Sequence, residues 1–271
     1  MADRNDKGSP RDSHYARLRR AHRDAKPAEP DDGHVHLYGL HTVRAALANP
    51  KRQHFRLLAT RNALARLEEG GSAPRCKVET VEPKEIDRLT GSDAVHQGVL
   101  LETLPLTPKP LRQLGETDLV LVLDQVTDPH NVGAIMRSAV AFNAGAIVTT
   151  ARHSPVESGV LAKAASGALE HVDHIHVRNL AVALEELSAA GFQTVGLDSD
   201  GEADLETTVK GPKIALVLGA EGKGLRQKTR ETVSALARLD MPGAIRSLNV
   251  SNAAALSLYV ARRFGLGQRM P

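Results

Sequence analysis

The sequence predicts an α/β protein with two parts, a small α/β domain followed by a larger one on a mainly parallel sheet. Three observations carry this. Strand-like and helix-like patterns alternate twice along the chain. The stretch LPLTPKPLRQLGETD, with three prolines and a glycine, separates the two series. The strands of the second series are continuous apolar runs, as expected for strands covered on both faces.

The elements follow in order. Residues 1–33 hold almost no large apolar side chains and mix both charge signs. Such a composition cannot offset the entropy of ordering, so a disordered tail is expected, within which HYARLRRAHRDA has the pattern of a basic helix for RNA. Residues 34–105 form the small domain. HVHLYGLHTVRAALAN places Val43, Ala46 and Leu47 at helical spacing. FRLLAT reads as a strand, NALARLEEG as a helix, KVETVE as a strand, PKEIDRLTG as a helix and QGVLLETL as a closing strand. Residues 106–116 are the linker, and 117–271 the second domain.

There DLVLVLDQV is a buried strand, NVGAIMRSAVAFN a helix, AIVTT a strand and SGVLAKAASGALEH a helix. IHVRN is a strand, LAVALEELSAAG a helix, and FQTVGLDS and KIALVLG are strands. Ligands on such sheets gather at the carboxyl ends of the strands.

Composition narrows the function. No run approaches the roughly 18 apolar residues of a membrane helix, and the charged N-terminus lacks the apolar stretch of a secretory signal. A cytoplasmic protein is expected. A single cysteine, Cys76, excludes an internal disulfide framework and a cysteine-based zinc site. His34, His36 and His41, and again His171, His174 and His176, cluster in sequence, but no carboxylate or thiol stands at ligand spacing, so no metal is expected. A net charge of +3 and a pI near 9.1 lean toward polyanion binding, whereas 3% aromatic residues and no Trp argue against base-stacking platforms. No G-x-S-x-G nucleophile elbow occurs.

Three polar clusters sit at predicted strand ends. In DQVTDPHNVGAIMRSA, Asp128 to Asn131 supply turn and capping chemistry, Gly133 permits close approach, and Arg137 follows in the first turns of the helix. In LVLGAEGKGLRQKT, glycines 219, 222 and 224 spell G-x-x-G-x-G, neither of the nucleotide fingerprints. Glu221 in its middle suits a ligand with hydroxyls or a positive centre better than a phosphate. In MPGAIRSLNVSNAAALSLYV, Pro242 and Gly243 force a loop, and Ser247, Asn249, Ser251 and Asn252 are more caps than one helix end uses. Taken singly, each loop is also compatible with an ordinary turn or cap.

In this order, N-x-G-x-x-x-R, LGAEGKGL and MPGAIRSLNVSNAAAL resemble the three motifs of the SpoU (TrmH) family of RNA ribose 2′-O-methyltransferases. The resemblance covers about residues 117–271. YGLHTVRAAL and HQGVLLETLPL in turn resemble the small RNA-binding domain, similar to ribosomal protein L30e, that precedes the catalytic domain in many members. Closest in layout is the bacterial 23S rRNA guanosine-2′-O-methyltransferase group.

The resemblance implies a trefoil-knotted α/β (SPOUT) domain and S-adenosylmethionine as cofactor, held by the backbone of Gly219, Leu239, Met241 and Leu248. It implies substrate handling and catalysis by Asn131, Arg137, Glu221, Ser247 and Asn249, an RNA partner and a homodimer. Ser251 or Asn252 would then open the last helix. One departure is Leu239-Asp240, where many relatives carry Ile-Pro. Alternatives at this level are a tRNA ribose methyltransferase of the same family and a non-catalytic RNA-binding or ribosome-assembly protein that keeps the fold. The chemistry favours Arg137 as a fixed cation for a developing alkoxide or a phosphate, with Glu221 either holding the loop or orienting Arg137.

Overall fold

A computed structural model describes residues 33–71, 74–152, 154–245 and 247–266. The tail and its basic-helix pattern therefore lie outside the described residues, Gly33 excepted.

The first series of elements makes a four-stranded sheet. Strands β1 (Val35–Tyr38), β2 (His54–Ala59), β3 (Lys77–Thr80) and β4 (Val99–Thr103) lie in the order β1-β4-β2-β3, with β4 antiparallel to both its neighbours and β2 parallel to β3. Helices α1 (Leu40–Ala48), α2 (Arg61–Glu69) and α3 (Pro83–Thr90) connect them. Thr60 caps α2 by accepting from the Ala63 N–H, and Pro83 starts α3 where its missing N–H costs nothing. The stretch HVHLYGL, expected only to lead into a helix, is strand β1. Val35 and Leu37 alternate inward, and Gly39, at a φ of 90°, turns the chain into α1.

The second series makes a seven-stranded sheet in which every pairing is parallel. Its strands are β5 (Leu119–Asp124), β6 (Ala146–Thr150), β7 (Asp173–Val177), β8 (Gln193–Leu197), β9 (Ala203–Asp204), β10 (Ile214–Gly219) and β11 (Ala235–Arg238), in the order β7-β6-β5-β10-β8-β11-β9. Strand β9 at the edge and β11 beside it are short elements that the sequence pattern does not announce. Helices α4 (Pro129–Ala141), α5 (Gly159–Ala165), α6 (Leu180–Ala189), α7 (Leu205–Thr208), α8 (Gln227–Thr232) and α9 (Val250–Val260) cover it. Leu119, Leu121 and Leu123 of β5 join one apolar core with α4, α5 and α9, and Val120 and Val122 join another with α6.

The run SGVLAKAASGALEH is not one helix. α5 ends at Ala165, Ser166 and Gly167 adopt left-handed backbone, and only a single 3-10 turn, Ala168–Glu170, follows. The segment read as a linker is also ordered against the sheet. Lys109 pairs with β7 through its N–H to the His174 carbonyl (2.9 Å) and its carbonyl to the His176 N–H (3.1 Å).

His174 sits beside that edge, within 3.1 Å of the Thr149 hydroxyl and edge-on to His176. Burial, with the His176 charge adding to it, pushes its pKa down to about 4. The unfolded chain takes up this proton near pH 6.5, the folded chain only near pH 4. The stabilising contribution is therefore complete above about pH 6.5 and is lost as pH falls toward 4, in total about 3 kcal/mol. His174→Gln should flatten the loss of urea midpoint between pH 7 and 4.5. Parallel profiles for the two proteins would show that His174 is not the group responsible.

Candidate functional site

Three strand ends and the chain entering α9 converge on a cavity of about 390 Å³. The order of the strands explains its position. The chain steps outward from β5 through β6 to β7, returns to β8, and then inserts β10 between β8 and β5, so the loops after β8 and β10 part there.

The loop after β10 supplies Gly219, Ala220, Glu221, Gly222, Lys223 and Gly224 to the cavity wall. Its tight course is closed by the Gly224 N–H donating to the Ala220 carbonyl at 2.9 Å, and Gly222 and Gly224 have positive φ. No side chain fits at Gly219, where an added Cβ would lie 2.1 Å from the Gly224 carbonyl carbon. The loop is anchored from behind by Asp124, the fully buried last residue of β5. Its carboxylate accepts from Arg226 Nε (2.6 Å), the Arg226 N–H (3.0 Å) and the Thr229 hydroxyl (2.7 Å).

The segment after β11 brings Leu239, Met241, Ser247 and Leu248 to the same cavity. All four residues expected to hold a cofactor by their backbone therefore line one space. Asp240, the departure from the family pattern, is exposed and absent from the lining.

A knot of hydrogen bonds joins the three motif loops. Glu221 Oε1 accepts from Asn249 Nδ2 (2.7 Å), Asn131 Nδ2 (3.2 Å) and the Val250 N–H (3.3 Å), and Asn249 Nδ2 also reaches Asn131 Oδ1 (3.0 Å). Asn131 is 8% exposed, so its amide depends on these partners. The abundance of caps before α9 resolves here. Asn249 is the cap, its Oδ1 accepting from the Ser251 N–H (2.9 Å) and hydroxyl (2.6 Å), and its other amide atom faces the knot. Neither Ser251 nor Asn252 opens the helix, which starts at Val250. Glu221 serves as a second cap from another loop, taking a helix-start N–H and lying at the positive end of the helix.

Arg137 is not part of this knot. It is exposed on α4, six residues beyond Asn131, which at 3.6 residues per turn is about 120° around the helix. Among the described residues it makes no ion pair with Glu221, so of the two roles weighed for that carboxylate the geometry carries the loop-holding one. Gly133 does not leave room for a ligand either. A Cβ there would meet Ala164 Cβ at 2.6 Å and the Leu161 carbonyl at 2.6 Å, so this glycine lets α5 pack against α4. Asp128 acts as the ordinary cap, accepting from the His130 N–H at 3.0 Å.

Sequence reasoning passed over the loop after β8. Asp198, Ser199 and Asp200 line the cavity, and Asp198 pairs with Arg230, another lining residue. The signal was the acidic DSDGE that begins within the end of the strand pattern FQTVGLDS. With Glu221 and Lys223, the lining holds three carboxylates against two cations. This balance suits a ligand with hydroxyls or a positive centre and disfavours a polyphosphate. Among the described residues no group of three His, Cys, Asp or Glu is placed to hold a metal ion. No helix there is long and apolar enough to cross a membrane.

Comparison with known proteins agrees with this geometry. Residues 118–259 match the SpoU rRNA Methylase family, and residues 36–109 match RNA 2′-O ribose methyltransferase substrate binding. The chain is 37% identical over 247 residues to the 23S rRNA (guanosine-2′-O-)-methyltransferase RlmB of Pseudomonas syringae pv. tomato, covering 87% of this chain and 98% of that one. It is 38% identical over 239 residues to the protein of that name from Pseudomonas putida, covering 84% and 95%. Among solved structures, an AdoMet-bound rRNA methyltransferase from Sinorhizobium meliloti superposes with a TM-score of 0.70 at 24% identity, covering 95% of this chain and 97% of that one. The SpoU methyltransferase AviRb from Streptomyces viridochromogenes, in complex with AdoMet, gives 0.72 at 22% identity, covering 85% and 90%. The fold is thus that of the knotted SpoU-type α/β domain behind a small N-terminal domain.

Proposed function

The chain belongs to the SpoU rRNA methylase family, and from that premise we propose that it transfers the methyl group of S-adenosylmethionine to the 2′-hydroxyl of a guanosine in 23S rRNA. The observation that carries the reading is the cavity itself. It gathers Gly219, Leu239, Met241 and Leu248 around a volume of small-molecule size, beside the Asn131–Glu221–Asn249 knot. Gly219 lines the cavity, and the absence of a Cβ there lets the loop fold back on Gly224 and Leu225. S-adenosylmethionine, when bound, supplies an electrophilic methyl group on a sulfonium centre.

The chain's part is to orient a ribose and help its hydroxyl lose a proton. Ser247, exposed on the cavity wall, and the exposed Asn249 are the donors and acceptors for ribose or phosphate, and the buried Asn131 amide holds Asn249 in place for them. Residues 34–105 act as the RNA-holding domain, 106–116 as the connection and 117–271 as the methyltransferase domain. The site of action, on rRNA, is cytoplasmic.

The protein acts as a homodimer. Ile245, Leu256, Tyr259 and Phe264 are large apolar residues left exposed around α9, more than a monomer gains from showing to water. Arg137, turned away from the knot of its own chain, would then serve the dimer. The reading is tested by mapping 2′-O-methyl groups by mass spectrometry in rRNA and tRNA from a deletion strain. One missing 23S rRNA guanosine mark with all tRNA marks intact is the expected result, and a missing tRNA mark would overturn it.

A further inference from the structure

The N-terminal domain is fastened to the catalytic domain by contacts that a flexible tether would not need. Arg52, between α1 and β2, has a side chain with no exposed surface. Its Nε and Nη2 grip both oxygens of Glu170 (3.1 and 2.6 Å), and its Nη1 reaches Glu157 (2.6 Å) and the Leu104 carbonyl (3.0 Å). Both carboxylates belong to the catalytic domain and both are satisfied further. Glu170 accepts from Asn49 Nδ2 (2.6 Å), and Glu157 from the Leu106 N–H (2.8 Å). A buried charge is tolerated only in such a saturated arrangement, and this one exists only at one relative placement of the domains.

Close packing surrounds the pair. An added Cβ at Gly159 of α5 would lie 2.4 Å from the His36 carbonyl of β1, and one at Gly167 would lie 2.9 Å from Ala45 Cβ of α1. The Thr42 hydroxyl donates to the Ala162 carbonyl at 3.2 Å, and Lys163 Nζ donates to Gln97 at 3.1 Å. Leu37, Val43 and Ala46 share one apolar core with Leu161, Ala165 and Leu169. Domains of one chain move relative to each other unless their interface is extensive and apolar, and this interface is built like an interior.

We propose that Arg52, with Glu157 and Glu170, is a positioning latch that fixes the span between RNA held by the N-terminal domain and the cofactor cavity, and so sets which nucleotide is methylated. The inference rests on the functional reading above. A fixed span presents one ribose to the Asn131–Glu221–Asn249 knot and leaves its neighbours out of register. Displacement of the reacting group by about 1 Å costs on the order of 100-fold in rate.

The test variant combines Arg52→Met, Glu157→Gln and Glu170→Gln, which keeps volume and leaves no unpaired charge. Spin labels at Lys84→Cys and Lys228→Cys, in a Cys76→Ser background, report the distance between domains. The full-length wild type should give one narrow distribution and one methylated guanosine. The triple variant should give a broadened distribution, unchanged S-adenosylmethionine affinity, a kcat on structured rRNA lower by about tenfold or more, and marks on adjacent nucleotides. Gly159→Ala, which wedges the same interface, should shift the distribution if the triple variant does not fold. A broad distribution in the wild type would overturn the latch, as would a triple variant with the wild-type distribution. A broadened variant that still marks one nucleotide at full rate would overturn the ruler. Wild type that binds S-adenosylmethionine but methylates no RNA would sink the functional reading, and the distance measurement would still decide the latch.

Discussion

Arg137→Ala should lower single-turnover methyl transfer by about 10²- to 10³-fold, the cost of losing one fixed donor at a developing oxyanion. S-adenosylmethionine affinity should stay within about twofold, because Arg137 is exposed on α4 and contributes nothing to the cavity lining. A guanidinium stays charged throughout the range in which the protein works and is not a neutral base. In the proposed reaction it would be a permanent cation that steadies the alkoxide or clamps the adjacent phosphate, the proton leaving to the RNA phosphate or a neighbouring group. Arg137→Lys keeps the charge but not the planar fork, and should recover only part of the rate. Wild-type turnover in Arg137→Lys would mean that fork geometry is irrelevant.

The same residue tests the homodimer. If Arg137 of one protomer serves the knot of its partner, mixing Arg137→Ala with Glu221→Ala protein restores one intact site in each mixed dimer. If it serves its own chain, every site in the mixture lacks one group and no activity returns.

The fold was legible wherever local pattern decides it. The apolar runs of β5 and β10, the capped α2, α4 and α6, and the glycine loop at 219–224 announce themselves through periodicity and turn chemistry. What escaped was decided by distant partners. The short strand β11 depends on pairing with β8 and β9. Asp124 reads as the end of an apolar strand, and only the return of Arg226 and Thr229, 102 and 105 residues later, makes it an anchor. The prolines of 105–110 mark a linker, yet the contacts that dock the two domains, such as Arg52 to Glu157 and Glu170, span 105 and 118 residues. The orientation of Arg137, by contrast, was available from its spacing. Six residues on a helix cannot place it on the face of Asn131.

Glu221 carries the other large effect, and its two substitutions separate shape from charge. Glu221→Ala removes the one acceptor shared by Asn131, Asn249 and the Val250 N–H. The buried Asn131 amide is left short of a partner and the first N–H of α9 loses its cap. Because Glu221 itself is exposed, water replaces part of the loss, and global stability should fall by about 1 to 2 kcal/mol. The local consequence is larger than the global one. The knot is what holds the 219–224 loop against the segment carrying Met241 and Leu248, so the cavity loses its shape when the knot opens. S-adenosylmethionine affinity should weaken by about tenfold or more, equivalent to roughly 1.4 kcal/mol, and methyl transfer should drop further because Asn131 and Asn249 no longer converge. Glu221→Gln keeps a carbonyl oxygen for the same donors at about half the strength of a charged acceptor. It should therefore bind the cofactor within about threefold of wild type in calorimetry. An alanine variant that binds as tightly as wild type would show that the loops hold their places without the knot. A glutamine variant as weak as alanine would show that the negative charge, facing a cationic ligand across the cavity, matters more than the cap.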